Sequence, residues 1–580
     1  MEKNTSPGRW RNILPQEKIL LAIMPFGVPL IPPLGISCLK AFLKQHGYSR
    51  VKAVDVVMES GFKEDYDNYF ETLRQALTGN KIIGGNYYYN LGHIVLTNHM
   101  MAHLNYENEE KYIQLVKLLV SKNFYTTIDD GLVRSLIEII DKFYDLLENY
   151  LNRLLEEERP GVLGLSASRD TLPASLFAFR QAKKKYPHIR TVMGGSVFFD
   201  QLAPGTTALE SFLEKTRDTI DKIIIGEGEL LLLKLLQGKL PGEKRVYTSR
   251  DIDGELLDLS TAPLPDFSDF ELAYYPYLGA YTSRSCPFQC SFCVETVAWG
   301  KYRKKTPQRV VSELQQLYSL HGSQLFFMGD SLLNPVITPL SSELIKSGLS
   351  MYWDGYLRAD RNVGDTENTM LWRRAGFYRA RLGLESGSQR ILDLIGKRIT
   401  VKQSKNAISA LAYAGIKTTS FWIVGHPGET EEDFQMTLQL LEELKDNLYE
   451  AFCIPFIYHL TGQVKSEEWR KNNTVVPLYP GESTSMLMIQ SWVVDTQPSR
   501  EETHRRSLRF VQHCKELGIP YPHLFSEVIE ADRRWKILHE NAVPAQTEFM
   551  DRNSYIDENK YARELAYMRS IQVDEGDFNF

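Results

Sequence analysis

The sequence predicts an α/β protein with two successive units of alternating strands and helices, followed by a mainly helical part. Short apolar runs of strand length alternate with amphipathic helical stretches, and glycine or polar residues follow most of these runs. The length of 580 residues exceeds that of one ordinary domain. We therefore expect a first domain over residues 1–270, a second over residues 271–470 and a C-terminal subdomain over residues 471–580.

The first domain begins with a β-α-β unit. The apolar run Ile19–Pro25 predicts a buried parallel strand, and Leu34–Gln45 predicts a helix that ends at Gly47. Val51–Val57 predicts the second strand. Repeats of such a unit form an open sheet with helices on its faces, which predicts a Rossmann-like domain.

Residues from about 60 to 158 interrupt this alternation and predict a helical insertion. Leu132–Leu155 has apolar residues along one helical stripe, which predicts a long amphipathic helix. For Ile82–Tyr89, a short strand and a loop both remain open. The insertion is expected to pack on the domain; a substrate lid or a surface for a partner is the alternative.

Three further strands are predicted at Val162–Ser168, Thr191–Met193 and Lys222–Ile225, with a helix at Leu172–Tyr186. In open α/β sheets, ligands bind at the carboxyl ends of the strands, where glycine lets a ligand approach the backbone. The candidate ligand-binding residues at these ends are Ser166, Ser168, Gly194, Gly195, Gly226 and Glu227.

Three of the six cysteines, Cys286, Cys290 and Cys293, follow one another at the spacing C-x3-C-x2-C. Thiolates this close in one loop can ligate one metal centre. Three cysteine ligands leave one iron of a four-iron cluster free to bind a substrate or cofactor. Zinc is the competing metal, but a structural zinc site takes four ligands, usually from paired C-x2-C knuckles, and no second knuckle follows. The spacing therefore favours an iron–sulfur cluster.

The second domain follows a linker rich in proline and acidic residues, Leu257–Pro276. Tyr281–Ser283 predicts a strand that leads into the cysteine loop, and Thr306 with Pro307 predicts the start of a helix. The alternation predicts a partial TIM-like (β/α)6 barrel with its site at the strand carboxyl ends. Its further strands are predicted at Gln324–Met328, Met351–Leu357, Arg379–Leu384, Thr418–Val424 and Phe452–Phe456.

Polar residues and glycines follow these barrel strands. Arg358 could pair with a carboxylate. Cys453 fits a core position better than a catalytic one, but a strand position that faces the site keeps it as a catalytic candidate. The other candidates at the strand ends are Gly329, Asp330, Glu385, Ser386, Gly425 and Pro427.

The cysteine loop, including Phe292 just before its third cysteine, resembles the cluster-binding loop of radical S-adenosylmethionine (SAM) enzymes. The resemblance implies a [4Fe-4S] cluster on the three cysteines, whose free iron chelates SAM. Asp330 stands where the family usually has glutamate beside the SAM amino group, Glu385 and Ser386 match its segment near the ribose, and the turn after Val424 matches the one beside the adenine. The implied SAM contacts are Phe292, Gly329, Asp330, Arg358, Glu385, Ser386, Gly425 and Pro427.

The order of elements before the cysteine loop resembles the cobalamin-binding domain of cobalamin-dependent radical SAM enzymes. The resemblance implies contacts of Ser166 and Ser168 with the corrin or its tail, and of Gly194 and Gly195 with the nucleotide tail. Gly226 and Glu227 belong to a Gly-Glu-Gly-Glu run that recurs in this family. No D-x-H-x-x-G follows the first strand, so no histidine is offered to the lower face of cobalt. A Rossmann-like domain without the cofactor is the alternative.

The resemblance implies a C-methyltransferase that uses SAM and methylcobalamin on an unactivated carbon, by analogy in natural-product biosynthesis. One SAM supplies the methyl group, and the reduced cluster cleaves another to the radical that abstracts a substrate hydrogen. A polar route, ring contraction, cyclisation, another rearrangement and a non-catalytic iron–sulfur protein remain open. tRNA methylthiolation is disfavoured, because its enzymes carry three further N-terminal cysteines and this domain has only Cys38.

The composition is that of a globular protein, with 43% hydrophobic and 24% charged residues. The net charge of −6 indicates no nucleic-acid or anionic-membrane surface, and no apolar run is long enough for a membrane span. We expect a cytoplasmic location, since an oxygen-sensitive cluster needs a reducing compartment. The expected partners are a small-molecule, peptide or carrier-bound substrate and an electron donor such as flavodoxin or ferredoxin.

Overall fold

Two six-stranded parallel sheets form the two domains, one in each half of the chain. Helices cover the sheets, and the two largest hydrophobic clusters lie between helices and sheet in the first and in the second domain. The computed structural model describes residues 10, 13–27, 30–59, 61–77, 85–462, 467–521 and 525–539.

The first sheet confirms the predicted order of strands and helices. Its strands pair in the order β2-β1-β3-β4-β5-β6, all in parallel. The strand bounds are β1 (Ile19–Ile23), β2 (Val51–Asp55), β3 (Val162–Ser166), β4 (Arg190–Gly194), β5 (Lys222–Ile224) and β6 (Val246–Tyr247). The third strand is shorter than predicted, so Ser168 lies in the loop that follows β3.

Eight helices accompany this sheet in the described ranges, and four of them, α2–α5, form the insertion. Gly85–Tyr89 begin α3, so neither a strand nor a loop is correct there; Ile82–Gly84 lie outside the described residues. The reason is tertiary, because Tyr87, Tyr88, Leu91 and Val95 bury one side of α3 in the first core. The helices are α1 (Leu34–Gln45), α2 (Phe62–Arg74), α3 (Gly85–Asn105), α4 (Glu109–Phe124), α5 (Asp130–Glu158), α6 (Leu172–Lys185), α7 (Thr207–Lys215) and α8 (Gly228–Leu236).

The second sheet is the open, partial barrel that the alternation predicted. Its strands pair in the order β14-β13-β12-β11-β10-β7, so six parallel strands curve without closing. β8 and β9 form a separate antiparallel pair. The bounds are β7 (Leu278–Ala280), β8 (Ser283–Arg284), β9 (Arg303–Lys304), β10 (Leu325–Met328), β11 (Tyr352–Leu357), β12 (Phe377–Glu385), β13 (Lys417–Val424) and β14 (Glu450–Pro455).

The strand predicted at Tyr281–Ser283 is wrong in its bounds. The barrel strand β7 ends at Ala280, because the backbone N–H of Thr282 donates to the carboxylate of Asp330 instead of to a neighbouring strand. Ser283 then begins β8, which leads into the cysteine loop.

The barrel helix after the cysteine loop begins as predicted, and a later one begins at a capping box. Thr306 caps the helix in which Pro307 is the first residue, and Thr430 forms a capping box with Asp433. The helices are α9 (Glu295–Trp299), α10 (Pro307–His321), α11 (Ile337–Ser347), α12 (Thr366–Arg374), α13 (Gln389–Leu394), α14 (Val401–Tyr413) and α15 (Glu431–Leu444).

The C-terminal part is mainly helical, with one antiparallel strand pair that the sequence did not indicate. Helix α18 packs against β13, β14 and α15, and α17 packs against α3 of the insertion. No helix within the described residues has both the length and the apolar character that crossing a membrane requires. The elements are α16 (Glu467–Asn472), β15 (Thr474–Pro477), α17 (Thr484–Leu487), β16 (Trp492–Asp495), α18 (Arg500–Glu516) and α19 (Phe525–Leu538).

The start of α1 packs directly on the barrel. A Cβ atom on Gly279 of β7 would lie 3.2 Å from Ile31, and one on Gly329, after β10, would lie 3.4 Å from Leu34. The absence of side chains at these two glycines therefore lets the first domain lie close to the barrel strands β7 and β10.

Candidate active site

The three cysteines lie together between β8 and α9, at the carboxyl end of the barrel. All three are free thiols; Cys290 is buried, and Cys286 and Cys293 are half-buried. Burial raises the pKa of the Cys286 thiol, and it raises the pKa of Cys293 to about 11. The loop is attached to the barrel where the backbone N–H of Ser291 donates to the carbonyl of Ile395.

No three His, Cys, Asp or Glu side chains in the described part of the chain are arranged to hold a single metal ion. A four-iron cluster makes a different demand, because each of its cysteine ligands binds a different iron. Its three sulfur ligands therefore need not converge on one point, and the donor set of the loop fits such a cluster.

Arg358, just after β11, points at the cysteine loop. Its Nη1 lies 3.8 Å from the sulfur of Cys290, and its guanidinium carbon lies 4.0 Å from the ring centre of Phe288. Its Nη2 atom is buried without a hydrogen-bond partner among the described residues. A buried guanidinium with a free nitrogen is suited to bind a carboxylate, as the sequence indicated.

Glu385 and Phe292, both predicted to contact SAM, are linked by Lys397. The Nζ atom of Lys397 donates to Oε1 of Glu385 at 2.5 Å and lies 5.9 Å from the ring centre of Phe292. A Cβ atom on Gly383 would meet Oε1 of Glu385 and Nζ of Lys397, so a side chain there would displace this pair. Lys397 therefore holds a charged pair beside the cysteine loop.

Asp330 is buried, and its carboxylate is hydrogen-bonded within the protein. Its carboxylate accepts hydrogen bonds from the backbone and hydroxyl of Thr282 and from the hydroxyl of Ser283. Burial raises the pKa of Asp330 in spite of these donors. The carboxylate thus braces the segment that leads into the cysteine loop, and its contact with the SAM amino group stays a prediction, as does that of Gly329.

The remaining predicted SAM contacts lie in turns at the same end of the barrel. Ser386 is fully buried and accepts a hydrogen bond from the backbone of Ser388. Gly425 has a positive φ of 78°, and its N–H donates to Glu429. Gly425 and Pro427 line a cavity of about 90 Å³ that aromatic residues of α3 and of the C-terminal part also line.

Cys453 lies in the core, the position that the sequence favoured, and does not face the barrel interior. Side chains alternate along β14, and the neighbouring Glu450 bonds to Arg379 and Thr419 inside the barrel. Cys453 therefore lies on the opposite face with Phe510 of α18, in the second core, where burial raises its pKa to about 12.

A cavity of about 300 Å³ lies at the carboxyl edge of the first sheet. It is lined by Ser166 and Ser168, as predicted, and also by Asp55, Thr171 and Ser196. Asp55 accepts a hydrogen bond from the hydroxyl of Tyr275, and burial raises its pKa. Asp55 ends β2 at the same sheet edge, so its position after a strand was a usable signal that the sequence analysis missed.

The predicted glycine contacts lie at the end of β4 and in the loops that follow β4 and β5. Gly195 has a φ of 111°, and a Cβ atom on it would collide with the backbone of Ala167. The loop after β4 can therefore cross close to the loop after β3, with Ser196 at the cavity. Gly194 ends β4, and Gly226 follows β5 with a φ of 103°.

Glu227 is not among the cavity residues, and its contact with a cobalamin stays a prediction. Its carboxylate pairs with Arg303 and lies 3.5 Å from Arg284, both of which belong to the second domain. Burial lowers the pKa of Arg284, but the nearby carboxylates of Glu229 and Glu227 raise it above its usual value. The sequence held no signal for these ion pairs, since their partners are more than fifty residues apart.

Residues 281–441 match the family described as the Radical SAM superfamily. Among curated proteins, the chain is 28% identical to an anaerobic magnesium-protoporphyrin IX monomethyl ester cyclase of Rubrivivax gelatinosus, over 58% of this chain and 64% of that protein. It is 25% identical to an uncharacterized methyltransferase of Pyrococcus horikoshii, over 62% of this chain and 83% of that protein. The match thus spans less than two thirds of the cyclase.

Two solved structures share the fold. The radical SAM methyltransferase TsrM of Kitasatospora setae, with cobalamin and a [4Fe-4S] cluster bound, is 14% identical with a TM-score of 0.56 over 95% of this chain and 100% of that one. The cobalamin-dependent SAM radical enzyme OxsB, with aqua-cobalamin and SAM bound, is 14% identical with a TM-score of 0.54 over 96% and 71%. The present chain therefore contains a radical SAM domain and shares the fold of TsrM and OxsB.

Proposed function

We propose that this protein is a cobalamin-dependent radical SAM enzyme that transfers a methyl group to an unactivated carbon, in natural-product biosynthesis. The observation that carries the proposal is the position of the cavity in the first domain. Ile31 lines this cavity and also packs on Gly279 of the barrel strand β7. A cofactor in the cavity would therefore lie next to the barrel that carries the three cysteines.

The residues present fit a cluster and SAM. Cys286, Cys290 and Cys293 would hold the cluster. Arg358 would bind the SAM carboxylate with its buried Nη2 atom, for which the described part of the chain provides no hydrogen-bond partner. Phe292 would pack beside the adenine. When bound and reduced, such a cluster supplies the electron that cleaves SAM to a carbon radical.

The cavity also fits the polar parts of a cobalamin. Asp55, Ser166, Ser168 and Ser196 offer a carboxylate and hydroxyl groups around it, and no histidine is among its described lining residues. Cobalamin, when bound, supplies a carrier for the methyl group. The chain would then bind the cofactor through hydrogen bonds at the sheet edge.

Inside the barrel, aromatic side chains provide a surface for the substrate. The rings of Phe421 and Phe452 stack with centres 5.4 Å apart, and Tyr356 lies 6.0 Å from Phe421. Tyr356 remains 37% exposed, which leaves its ring free to contact a ligand. An apolar surface at this position would keep water from a reactive carbon radical.

Cyclisation without methyl transfer is the second candidate. Its support is the sequence likeness to the magnesium-protoporphyrin IX monomethyl ester cyclase. A methylated product would favour the first candidate, and a new ring without a methyl group would favour the second.

The partners proposed with this function are a small-molecule, peptide or carrier-bound substrate and a flavodoxin or ferredoxin as electron donor. The proposed location is the cytoplasm, where a reducing environment protects a cluster. Neither a nucleic acid nor a membrane is proposed as a partner.

Cofactor content tests the proposal directly. The protein should be expressed with cobalamin uptake, purified without oxygen and reconstituted with iron and sulfide. We expect about four irons and about one cobalamin per chain, and 5′-deoxyadenosine after reduction with SAM. Four irons without cobalamin would refute the methyl-transfer proposal, and a cluster that does not cleave SAM would indicate a non-catalytic iron–sulfur protein.

A further inference from the structure

The segment that carries the cysteines is held at its base by a short β-ladder. Arg284 of β8 and Arg303 of β9 are direct partners in this antiparallel pair. The residues between them, 285–302, include the whole cysteine loop and α9. Any group that holds the two arginines therefore holds both ends of this segment.

Both arginines bind glutamates of the first domain. Nη2 of Arg284 lies 2.6 Å from Oε1 of Glu229, and Arg303 pairs with Glu227. Nη1 of Arg303 also donates to the carbonyl of Leu257 at 2.7 Å. We call Glu227, Glu229, Arg284 and Arg303 the Arg–Glu clamp.

The clamp is buried and balanced in charge. The exposed fractions of its side chains are 11% for Glu227, 7% for Glu229, 10% for Arg284 and 16% for Arg303. Because two carboxylates face two guanidinium groups, no charge is left unpaired. Removing one partner of such a buried pair leaves an uncompensated charge, which is strongly destabilising.

The position of the glutamates links the two candidate cofactor sites. Glu227 and Glu229 follow β5 at the carboxyl edge of the first sheet, and the cavity lies at this same edge. On its other side, the cysteine segment is attached to the barrel through Asp330, which binds Thr282 and Ser283. The segment is thus fixed to both domains.

We propose that the Arg–Glu clamp positions the cysteine loop relative to the cavity of the first domain, and so sets the distance between cluster and cobalamin. In this inference, its four members act as positioning residues. This inference rests on the proposed function, since it assigns the cavity to cobalamin. It adds that the first domain, and not the barrel alone, determines where the cluster is held.

Hydrogen–deuterium exchange of the reconstituted protein tests the clamp. The variant Glu227→Gln/Glu229→Gln removes both negative charges and keeps the side-chain shape. We expect the backbone amides of residues 285–302 to exchange at least about tenfold faster in this variant, because the free energy needed to open the segment locally is lower. Unchanged exchange of this segment would overturn the inference.

Lys40→Met is the matched control. Lys40 is also buried, and it pairs with Asp266 at 3.0 Å and with Asp269 at 2.6 Å, which joins α1 to the linker. Its loss should destabilise the protein without a selective effect on residues 285–302. Equal acceleration in both variants would show a general loosening and would contradict a positioning role.

Pulsed electron paramagnetic resonance gives a second measurement. With the cluster reduced and cobalamin in its paramagnetic state, the distance between the two centres should be longer or more broadly distributed in the double variant than in Lys40→Met. An identical distribution would refute the inference. If the double variant does not fold, Arg303→Lys is the substitute, because it keeps the positive charge and loses the forked geometry of the guanidinium. It should change the exchange rate and the distance distribution in the same direction, but less.

A wild-type protein that binds no cobalamin would refute the proposed function. The exchange experiment needs no cobalamin, so it still decides whether the clamp holds the cysteine segment. The two failures are therefore distinguishable.

Discussion

The guanidinium of Arg358 reaches the sulfur of Cys290, with Nη1 and Sγ 3.8 Å apart. This contact joins the carboxyl end of β11 to the cysteine loop across the mouth of the barrel. The second terminal nitrogen of Arg358 is buried and has no hydrogen-bond partner within the described ranges, which leaves a donor available next to the thiols. A buried donor of this kind is costly unless a ligand satisfies it.

We predict that Arg358→Met weakens SAM binding. A charge-assisted hydrogen bond to a carboxylate contributes about 1.5–3 kcal/mol, so the dissociation constant should rise roughly 10- to 150-fold. Equilibrium binding of SAM to the reconstituted protein measures this. Arg361→Met, at an exposed arginine of the same connection, is the control and should bind like the wild type. Equal affinity in both variants would exclude Arg358 from the SAM site.

Replacing one cysteine of the loop should abolish the cluster. We expect Cys286→Ala to fall from about four irons per chain to a small residual content and to lose SAM cleavage, because two thiolates do not retain the cubane. Cys514→Ala is the control, since Cys514 lies in the second core. It should keep its iron and lose only about 1 kcal/mol of stability. Normal iron content in Cys286→Ala would disprove the assigned ligand set.

Gly195→Ala should disturb the cavity of the first domain. The added methyl group meets the backbone of Ala167, which cannot rotate away, and the φ of 111° is itself unfavourable for alanine. We expect a loss of about 2–4 kcal/mol of stability together with reduced cobalamin retention. Gly205→Ala separates the two causes, because Gly205 also has a positive φ but no atom near its Cβ position. It should cost only about 1 kcal/mol, and equal effects would contradict the steric explanation.

Glu429 should make the stability of the protein depend on pH. Burial raises the pKa of its carboxyl from 4.5 to about 7, although Gly425 and Arg506 donate hydrogen bonds to it. Because the pKa is higher in the folded state, the protonated carboxyl stabilises the folded protein. This stabilisation is fully present below pH 4.5 and is lost as the pH rises towards 7. Between pH 5 and pH 8, the wild type should therefore lose roughly 2 kcal/mol more than Glu429→Gln, which cannot titrate.

Thermal unfolding of both proteins at several pH values checks this prediction. Glu442→Gln, at an exposed position of α15, should follow the wild type. If Glu429→Gln and the wild type show parallel pH profiles, the carboxyl of Glu429 does not titrate in this range.

Local sequence patterns predicted most of the helices and strands of the fold. Helix α1 has the predicted bounds, and Thr306 and Thr430 cap helices as their sequence context indicates. Where the prediction failed, distant residues decided the outcome. Gly85–Tyr89 are helical because Tyr87 and Tyr88 bury their rings in the first core, and β7 ends at Ala280 because Asp330 binds Thr282.

In the candidate site, too, local features were predicted from the sequence and side-chain orientations were not. The spacing of Cys286, Cys290 and Cys293 is a local property, and the structure places the three side chains in one loop as that spacing required. Cys453 and Glu227 were assigned by their positions after or within strands. Their orientation was decided by packing: Cys453 faces α18, and Glu227 pairs with Arg303.

By itself, the sequence determined the order of the two α/β units, the presence of a three-cysteine loop and the polar residues that follow the strands. These follow from local periodicity, capping and spacing, which act over a few residues. Only the tertiary structure decided that Arg284 and Arg303 reach Glu227 and Glu229, and that Arg358 reaches Cys290. Such contacts join residues that are far apart in the chain, and only the packing of the two sheets brings their charges together.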